Sequence, residues 1–419
     1  MKRVALAILV TALSIYIVSA QSVTERFATA LNNQDILYLQ ENLPYYKDSL
    51  PQHISLMAEA LCYSQTNRYH KSNKAIEELL NNHSEVIGSD VVGSFYSLLI
   101  SNLYLSGNTA AAAELIKGNE QSREAYNYFK ALSRKRPLQV LRPKRDVVIP
   151  FTRSQLSSGS HIHIPVKIGG KSESFIFDTG ANKYNVITES CAARYNFTPL
   201  FDSLSTTGVG GSGTSRVVTI NKIKIGKIVV KNPTFIVIAD ETMPADSLGG
   251  FKLEFVLGTD VMEALGRVSF DMEQSTMTIP AVQSATNGQA TPMTHADCYY
   301  IYPTINGHRL KMQFDTGAVS SSMYSRYLAE FGEKTTLIGE EQSGRARGFG
   351  GTTHYKAQKA EKIEFEIGGN ICPMQGVEII TTENALPYQH DEYGVLGADI
   401  ALRYSRFTID FRQMCVLTE

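Results

Sequence analysis

The chain has 419 residues, 43% hydrophobic and 19% charged, which suits roughly two to four globular domains with a sizeable core. A net charge of −1 excludes a bulk electrostatic pull toward nucleic acid or an anionic membrane. The cysteines Cys62, Cys191, Cys298, Cys372 and Cys415 form no CxxC pair, which excludes a zinc or thiol-redox motif of that kind. Cys372 with Cys415 is one disulfide option in an exported protein. Buried small hydrophobes is the plainer reading of most of them.

The first residues have the pattern of an export signal. Lys2 and Arg3 precede the apolar run VALAILVTALSIYIV, and Val18-Ser19-Ala20 is a small-residue cleavage site. An uncleaved anchor is the rival, but the run falls short of a comfortable span of ~20 residues. The expected mature protein is therefore periplasmic or secreted, with no stable membrane span.

From Val23 to Ser133 apolar residues recur at three- and four-residue spacing, which predicts four to six helices. SLMAEALCYSQTNRYHKSNKAIEELLNNH and SFYSLLISNLYLSGNTAAAAELIKG each pair a Leu-rich with an Ala-rich helix, and Gly107-Asn108 breaks the second. The pattern resembles tetratricopeptide hairpins, although the strict 34-residue period is not met. A generic helical bundle is the alternative. A helical array of this kind would serve a protein partner or guide substrate, or act as a prosegment. Arg134 to Arg145, RKRPLQVLRPKR, carries basic residues and prolines but no acid. It reads as a solvated linker between domains, with proteolytic processing as the functional alternative.

After Asp146 short runs of Val, Ile, Thr and Phe alternate with Gly, Asn, Ser and Pro, which predicts an all-β region. His161 and His163 share one strand face. Two histidines suggest a metal, but no third ligand stands nearby, so a polar strand face is the preferred reading.

This β region is internally duplicated, as residues 146–282 and 283–419. Phe-Asp-Thr-Gly-Ala occurs at 177–181 and at 314–318, with the aspartates 315 − 178 = 137 residues apart. GVGGSG at 208–213 answers RGFGGT at 347–352. VLGTD and VLGAD follow, with Gly258 and Gly397 separated by 397 − 258 = 139 residues. An Asp-Thr-Gly after an apolar strand sets a carboxylate on a tight turn, and Gly lets the backbone approach closely. The Gly-rich segments suit hairpin tips. Asp260 and Asp399 are expected to cap the short helices that follow them.

Hydrolysis by a water nucleophile needs two facing carboxyl groups, and two like units supply Asp178 and Asp315. At contact distance such a pair shares one proton. One carboxylate then activates water while its protonated partner polarises the scissile carbonyl. The order of these three motifs resembles retropepsin-like aspartic proteases, over about residues 146–419. The resemblance implies two retropepsin-type units in tandem, forming the bilobal acid-protease β-barrel fold of a monomeric aspartic endopeptidase. It also implies a polypeptide substrate and no cofactor. Asp178 and Asp315 would be the catalytic dyad, braced by Thr179 and Thr316 and shaped by Gly180 and Gly317. Val209, Gly210 and Gly211 would form one flap tip, and Phe349, Gly350 and Gly351 the other. Ala181 and Ala318 stand where pepsin-like enzymes usually carry a hydroxyl, which implies a less acidic optimum. Neither flap has the Tyr of a pepsin flap. The loops before each Gly-x-Asp motif, with Tyr388 and Tyr393, are candidate groove walls or edge covers. The rival function is an inactive peptide- or glycan-binding module. Pairing of Asp178 with its own copy in a dimer is a further alternative.

Overall fold

A computed structural model describes residues 22–154, 159–195, 197–240, 254–283, 288–386 and 391–419. The expected export signal and Tyr388 lie outside the described residues. The chain divides into two compact units, residues 1–134 and 135–419.

The first unit is helical. Its seven described α-helices are Val23–Asn32, Ile36–Tyr46, Gln52–Ser64, Tyr69–Ile87, Ser89–Leu105, Thr109–Leu115 and Arg123–Arg134. That exceeds the four to six expected, because short turns divide the apolar pattern more often than its periodicity reveals. Gln34 takes φ +51 between the first two helices, and Gly88 takes φ +80 between the fourth and fifth. Ser22 and Glu25 close a capping box on the first helix, and the Asp35 carboxylate accepts the Tyr38 N–H at 3.0 Å. Phe27, Leu39, Ala58, Ile76, Leu79 and Phe95 are buried in one core. A buried polar chain crosses it. Ser64 Oγ donates to Asn102 Oδ1 (2.6 Å), Asn102 Nδ2 to Ser72 Oγ (2.8 Å), and Ser72 Oγ to the Ala60 carbonyl (2.7 Å).

The second unit is mainly β, in two sheets. The segment read as a solvated linker is partly folded into it. Gln139–Leu141 adds an edge strand to Ile228–Lys231, and the Arg142 guanidinium donates to the carbonyls of Ala264 and Leu265. Alternating Gln-Val-Leu between prolines outweighs the surrounding charge, because at a sheet edge Arg136, Lys144 and Arg145 stay in solvent while Arg142 finds backbone acceptors.

The same pairings recur in residues 147–279 and 291–418. In the first half Phe255–Leu257 runs parallel to Lys171–Phe177 and antiparallel to Asn185–Thr188. In the second, Gly394–Leu396 runs parallel to Met312–Phe314 and antiparallel to Ser322–Tyr324. The N-terminal strand of each half lies on the C-terminal strand of the same half: Val147–Pro150 on Thr276–Ile279, and Thr291–His295 on Cys415–Thr418. The halves then join through Arg267–Asp271 against Arg406–Asp410. One hydrophobic core runs through both, including Phe177, Phe270, Phe314 and Phe407. All five cysteines are buried and none is disulfide-bonded, so the Cys372–Cys415 option does not hold. Cys415 instead lies on strand Cys415–Thr418, opposite Pro292 and Asp410.

Candidate active site

Each Asp-Thr-Gly turn begins where an apolar strand ends, at Phe177 and at Phe314. Burial of these two phenylalanines fixes the strand ends, and the turns that follow meet. Thr179 and Thr316 lock them reciprocally. The Thr179 N–H donates to Thr316 Oγ1 at 3.0 Å, and the Thr316 N–H to Thr179 Oγ1 at 2.9 Å. Each hydroxyl passes its own proton to the opposite strand, Thr179 to the Phe314 carbonyl (2.8 Å) and Thr316 to the Phe177 carbonyl (2.7 Å). Both threonines are buried. Either one changed to Ala leaves a buried N–H and a buried carbonyl unsatisfied. We expect a loss of about 2–4 kcal/mol in urea unfolding, with Ser at the same position largely restoring it.

The lock brings Asp178 and Asp315 together. The Asp178 Oδ1 accepts the N–H groups of Gly180 (2.8 Å) and Ala181 (3.2 Å). The Asp315 Oδ1 accepts those of Gly317 (2.9 Å) and Ala318 (3.2 Å). A Cβ at Gly180 would fall 2.4 Å from Asp315 Oδ1, and one at Gly317 would fall 2.4 Å from the Asp178 carboxyl carbon. Glycine is required at both because each turn's backbone packs on the opposite carboxylate. Burial, then the neighbouring Asp315 carboxylate, push the Asp178 carboxyl well above the usual range. Burial also raises Asp315, against the N–H donors that favour its charge.

A raised carboxyl pKa has a definite sign for stability. Above the ordinary aspartate value the unfolded chain sheds a proton that the folded pair retains, so folding weakens as pH rises toward the raised value. Asp178→Asn removes this penalty. Its unfolding free energy is therefore expected to exceed that of the parent at pH 7, and the gap to close on titration below about pH 4.

Two hairpins carry the Gly-rich tips, Thr198–Gly208 with Gly211–Thr219, and Leu337–Gly348 with Gly351–Ile367. Val209-Gly210 and Phe349-Gly350 form the turns between them, and the tips bond to each other. The Gly210 N–H donates to the Phe349 carbonyl at 3.0 Å, and Thr353 Oγ1 to the Val209 carbonyl at 2.6 Å. A Cβ on Gly210 would fall 2.1 Å from the Gly351 nitrogen, so the crossing needs glycine there. Val209 packs with Tyr324, Ile380, Leu386 and Val395, a cluster that also holds Ala318 beside the carboxylates.

Asp260 and Asp399 do not cap their helices, since Gly258 and Gly397 occupy the N-cap positions. They brace the segment that follows each Asp-Thr-Gly turn. Asn185 Nδ2 donates to Asp260 Oδ1 (2.9 Å), and Ser321 donates through N–H and Oγ to Asp399 (2.9 and 2.7 Å). Asn185 Oδ1 and Ser321 Oγ in turn accept the N–H groups of Gly258 and Gly397, both at 3.0 Å. Burial pushes Asp260 up to about 7.

The histidine pair is not arranged as metal ligands. His161 Nε2 meets the Gly317 carbonyl at 2.9 Å, so that nitrogen carries the proton, and His163 Nδ1 meets Ser174 Oγ at 3.2 Å. Burial lowers both, His163 to about 4. The reach of His161 into the Asp315 turn was missed in the sequence, yet a signal exists. His161 lies 178 − 161 = 17 residues before Asp178, and its counterpart at 315 − 298 = 17 is Cys298. The Tyr393 ring packs with Phe331 and Arg326, and its hydroxyl donates to Glu330 Oε2 at 2.6 Å. This fits its reading as an edge cover.

Residues 164–261 match a family model described as aspartyl protease. The matched span contains Asp178, the first Gly-rich tip and Asp260. No curated protein matches the chain. Among solved structures, the chain is similar to a retropepsin-like aspartic protease from Rickettsia conorii (20% identity, TM-score 0.22, covering 34% of this chain and 92% of that one). It is also similar to Basic 7S globulin from soybean (11% identity, TM-score 0.37, 65% and 96% covered). A third similar structure is titled edgp (8% identity, TM-score 0.37, 65% and 94% covered). Residues 164–261, which include the first of the two Asp-Thr-Gly turns, are thus similar to aspartyl proteases.

Proposed function

We propose that this protein is an aspartic endopeptidase that hydrolyses peptide bonds with a water held between Asp178 and Asp315. The observation that carries the reading is the reciprocal threonine lock, which sets two like carboxylates against each other from two like turns. In this reading residues 146–282 and 283–419 are tandem retropepsin-type units in a bilobal, monomeric enzyme. The pair shares one proton and titrates jointly. The ionised member draws a proton from water as general base while the protonated member polarises the scissile carbonyl. The joined tips must part to admit an extended polypeptide and then close over it, excluding bulk water.

The protein is exported in this reading, and the helical unit recruits a partner or substrate. The test is cleavage of a mixed peptide library by the chain from Gln21 onward between pH 3 and pH 8, with and without a statine-type inhibitor. We expect inhibitor-sensitive cleavage with an optimum above about pH 3, because Ala181 and Ala318 offer no side-chain hydroxyl to the ionised pair. No cleavage at any pH by the folded chain refutes the reading. An optimum below that value refutes the role given to the alanines.

His161 acts in this scheme as a positioning residue for the turn that carries Asp315. His161→Ala is expected to lower kcat about tenfold or more while leaving KM within about twofold, since small displacements at a reacting centre are costly. A matching rise in KM would indicate general loosening instead.

A further inference from the structure

The net charge of the whole chain conceals one uniformly basic surface. Strands Gln139–Leu141, Ile228–Lys231, Lys222–Ile225 and Ile162–Ile168 are consecutive neighbours in one sheet. Their inner face is buried through Val230, Ile223, Ile225 and Val166. The outer face alternates with it and presents Lys231, Lys222, Lys224 and Lys167, three of them exposed and Lys231 half-buried. Lys231 stands directly opposite Lys222, and Lys224 directly opposite Lys167. Like charges directly opposite one another destabilise a sheet. The single acid in these strands and the adjoining Lys171–Phe177 is Glu173, which points to the other face, beside Tyr195 and Arg194.

None of these four lysines, nor the exposed Arg136, is held in an ion pair among the described residues. At one corner an opening of about 560 Å³ is lined by Pro137 and by the cationic or amide side chains of Arg136, Gln139, Asn221, Lys222, Lys231 and Asn232, the last donating to the Pro137 carbonyl. The fold does not require this charge. The corresponding strand of the second half reads Glu364-Phe-Glu366-Ile-Gly368 where the first reads Lys222-Ile-Lys224-Ile-Gly226. There, Thr304 stands opposite Glu366 in place of the Lys167–Lys224 pair, and Lys362 pairs with Glu364 at 2.6 Å.

We infer that this face docks on a bilayer bearing anionic phospholipids, with a headgroup phosphate entering the corner opening. Strand spacing of about 4.8 Å sets the lysines of three adjacent strands in a close array of point charges, suited to an array of phosphates. Leu141, 47% exposed and in line with Val229, Lys224 and Lys167, adds an apolar contact at the level of the headgroups. A protein partner fits less well, because lysine is depleted from interface cores and the face has no aromatic anchor. Single-stranded nucleic acid fits less well for want of any ring on which a base could stack.

The inference is independent of the proteolytic reading, and its test uses no activity. The chain from Gln21 onward is sedimented with vesicles of phosphatidylcholine alone and with about one-third phosphatidylglycerol, at low and high salt. We expect binding to the anionic vesicles only, lost as salt shortens the screening length to a few ångströms. Lys222→Gln/Lys224→Gln/Lys231→Gln is expected to weaken the partition about a hundredfold. Lys74→Gln/Lys334→Gln/Lys359→Gln, with the same loss of net charge, should stay within about threefold of the parent. Equal binding to neutral vesicles, no binding to either kind, or an equal effect of the two triple variants overturns the inference. Tighter binding to an oligonucleotide than to the anionic vesicles overturns it as well.

Discussion

Asp178→Asn and Asp315→Asn should each lower kcat for peptide cleavage by about 10³–10⁴-fold, a scale set by the loss of a positioned proton-transfer group. Asn keeps the size and the Oδ1 that accepts the turn's N–H groups, so each variant should fold with the threonine lock intact. It cannot pass a proton to or from water. The two losses should be similar, and the double variant little worse than either, because in the proposed mechanism the carboxyls act as a unit. Progress curves with one cleavable peptide, read beside unfolding curves, check this. A variant that keeps more than about a tenth of the parent rate removes that aspartate from the chemistry. Loss in one variant alone, with a concentration-dependent rate in the parent, points instead to pairing between two chains.

The second large effect concerns the strands that join the halves. The pairing of Arg267–Asp271 with Arg406–Asp410 places Arg267 opposite Asp410 and Asp271 opposite Arg406. The two ion pairs have the same chemistry and different surroundings. Arg267 reaches Asp410 Oδ2 through Nε (2.8 Å) and Nη2 (2.6 Å), and the side chains are 15% and 2% exposed. Asp410 Oδ1 also accepts the N–H groups of Arg412 and Gln413 at 3.0 and 2.9 Å. Arg406 approaches Asp271 only to 3.6 Å, with exposures of 46% and 27%.

Arg267→Ala leaves a buried carboxylate without its cation and should cost about 3–5 kcal/mol in urea unfolding. Arg406→Ala should cost less than about 1 kcal/mol, since a solvated pair gains little. Replacing Arg267 and Asp410 together by Met and Leu should recover much of the larger loss, because most of it is the penalty of a stranded charge. Equal effects of the two arginine substitutions would refute this account.

The features most legible in the sequence are those that occur twice. A carboxylate on a tight turn, a threonine facing its own image and a glycine under the opposite carboxyl all draw on the same five residues, Phe-Asp-Thr-Gly-Ala. Repetition therefore exposes the site before any contact is known. The alternation of strands is legible for a related reason, since period two follows from burial of one face. Single features are harder to read. The strand at Gln139–Leu141 is hidden by its basic flanks, of which Arg136, Lys144 and Arg145 stay in solvent at the sheet edge. Asp260 and Asp399 have the residue type and position of helix caps, and only the tertiary partners Asn185 and Ser321 reveal their bracing role. His161 bonds a carbonyl 317 − 161 = 156 residues away, a contact that no local pattern encodes.

The buried cysteines have a practical consequence. Because none is cross-linked, the fold owes nothing to an oxidant, and reductant should leave its stability unchanged. Each sulfur is instead a clock for opening. A thiol reagent reaches it only when the surrounding structure parts, and burial holds Cys62 near pKa 12, which keeps it inert until then. Cys62 lies in the helical unit, and Cys191, Cys298, Cys372 and Cys415 lie in the β unit. Labelling rates followed peptide by peptide would time the breathing of each unit separately, and show which relaxes first when a substrate or a membrane is added.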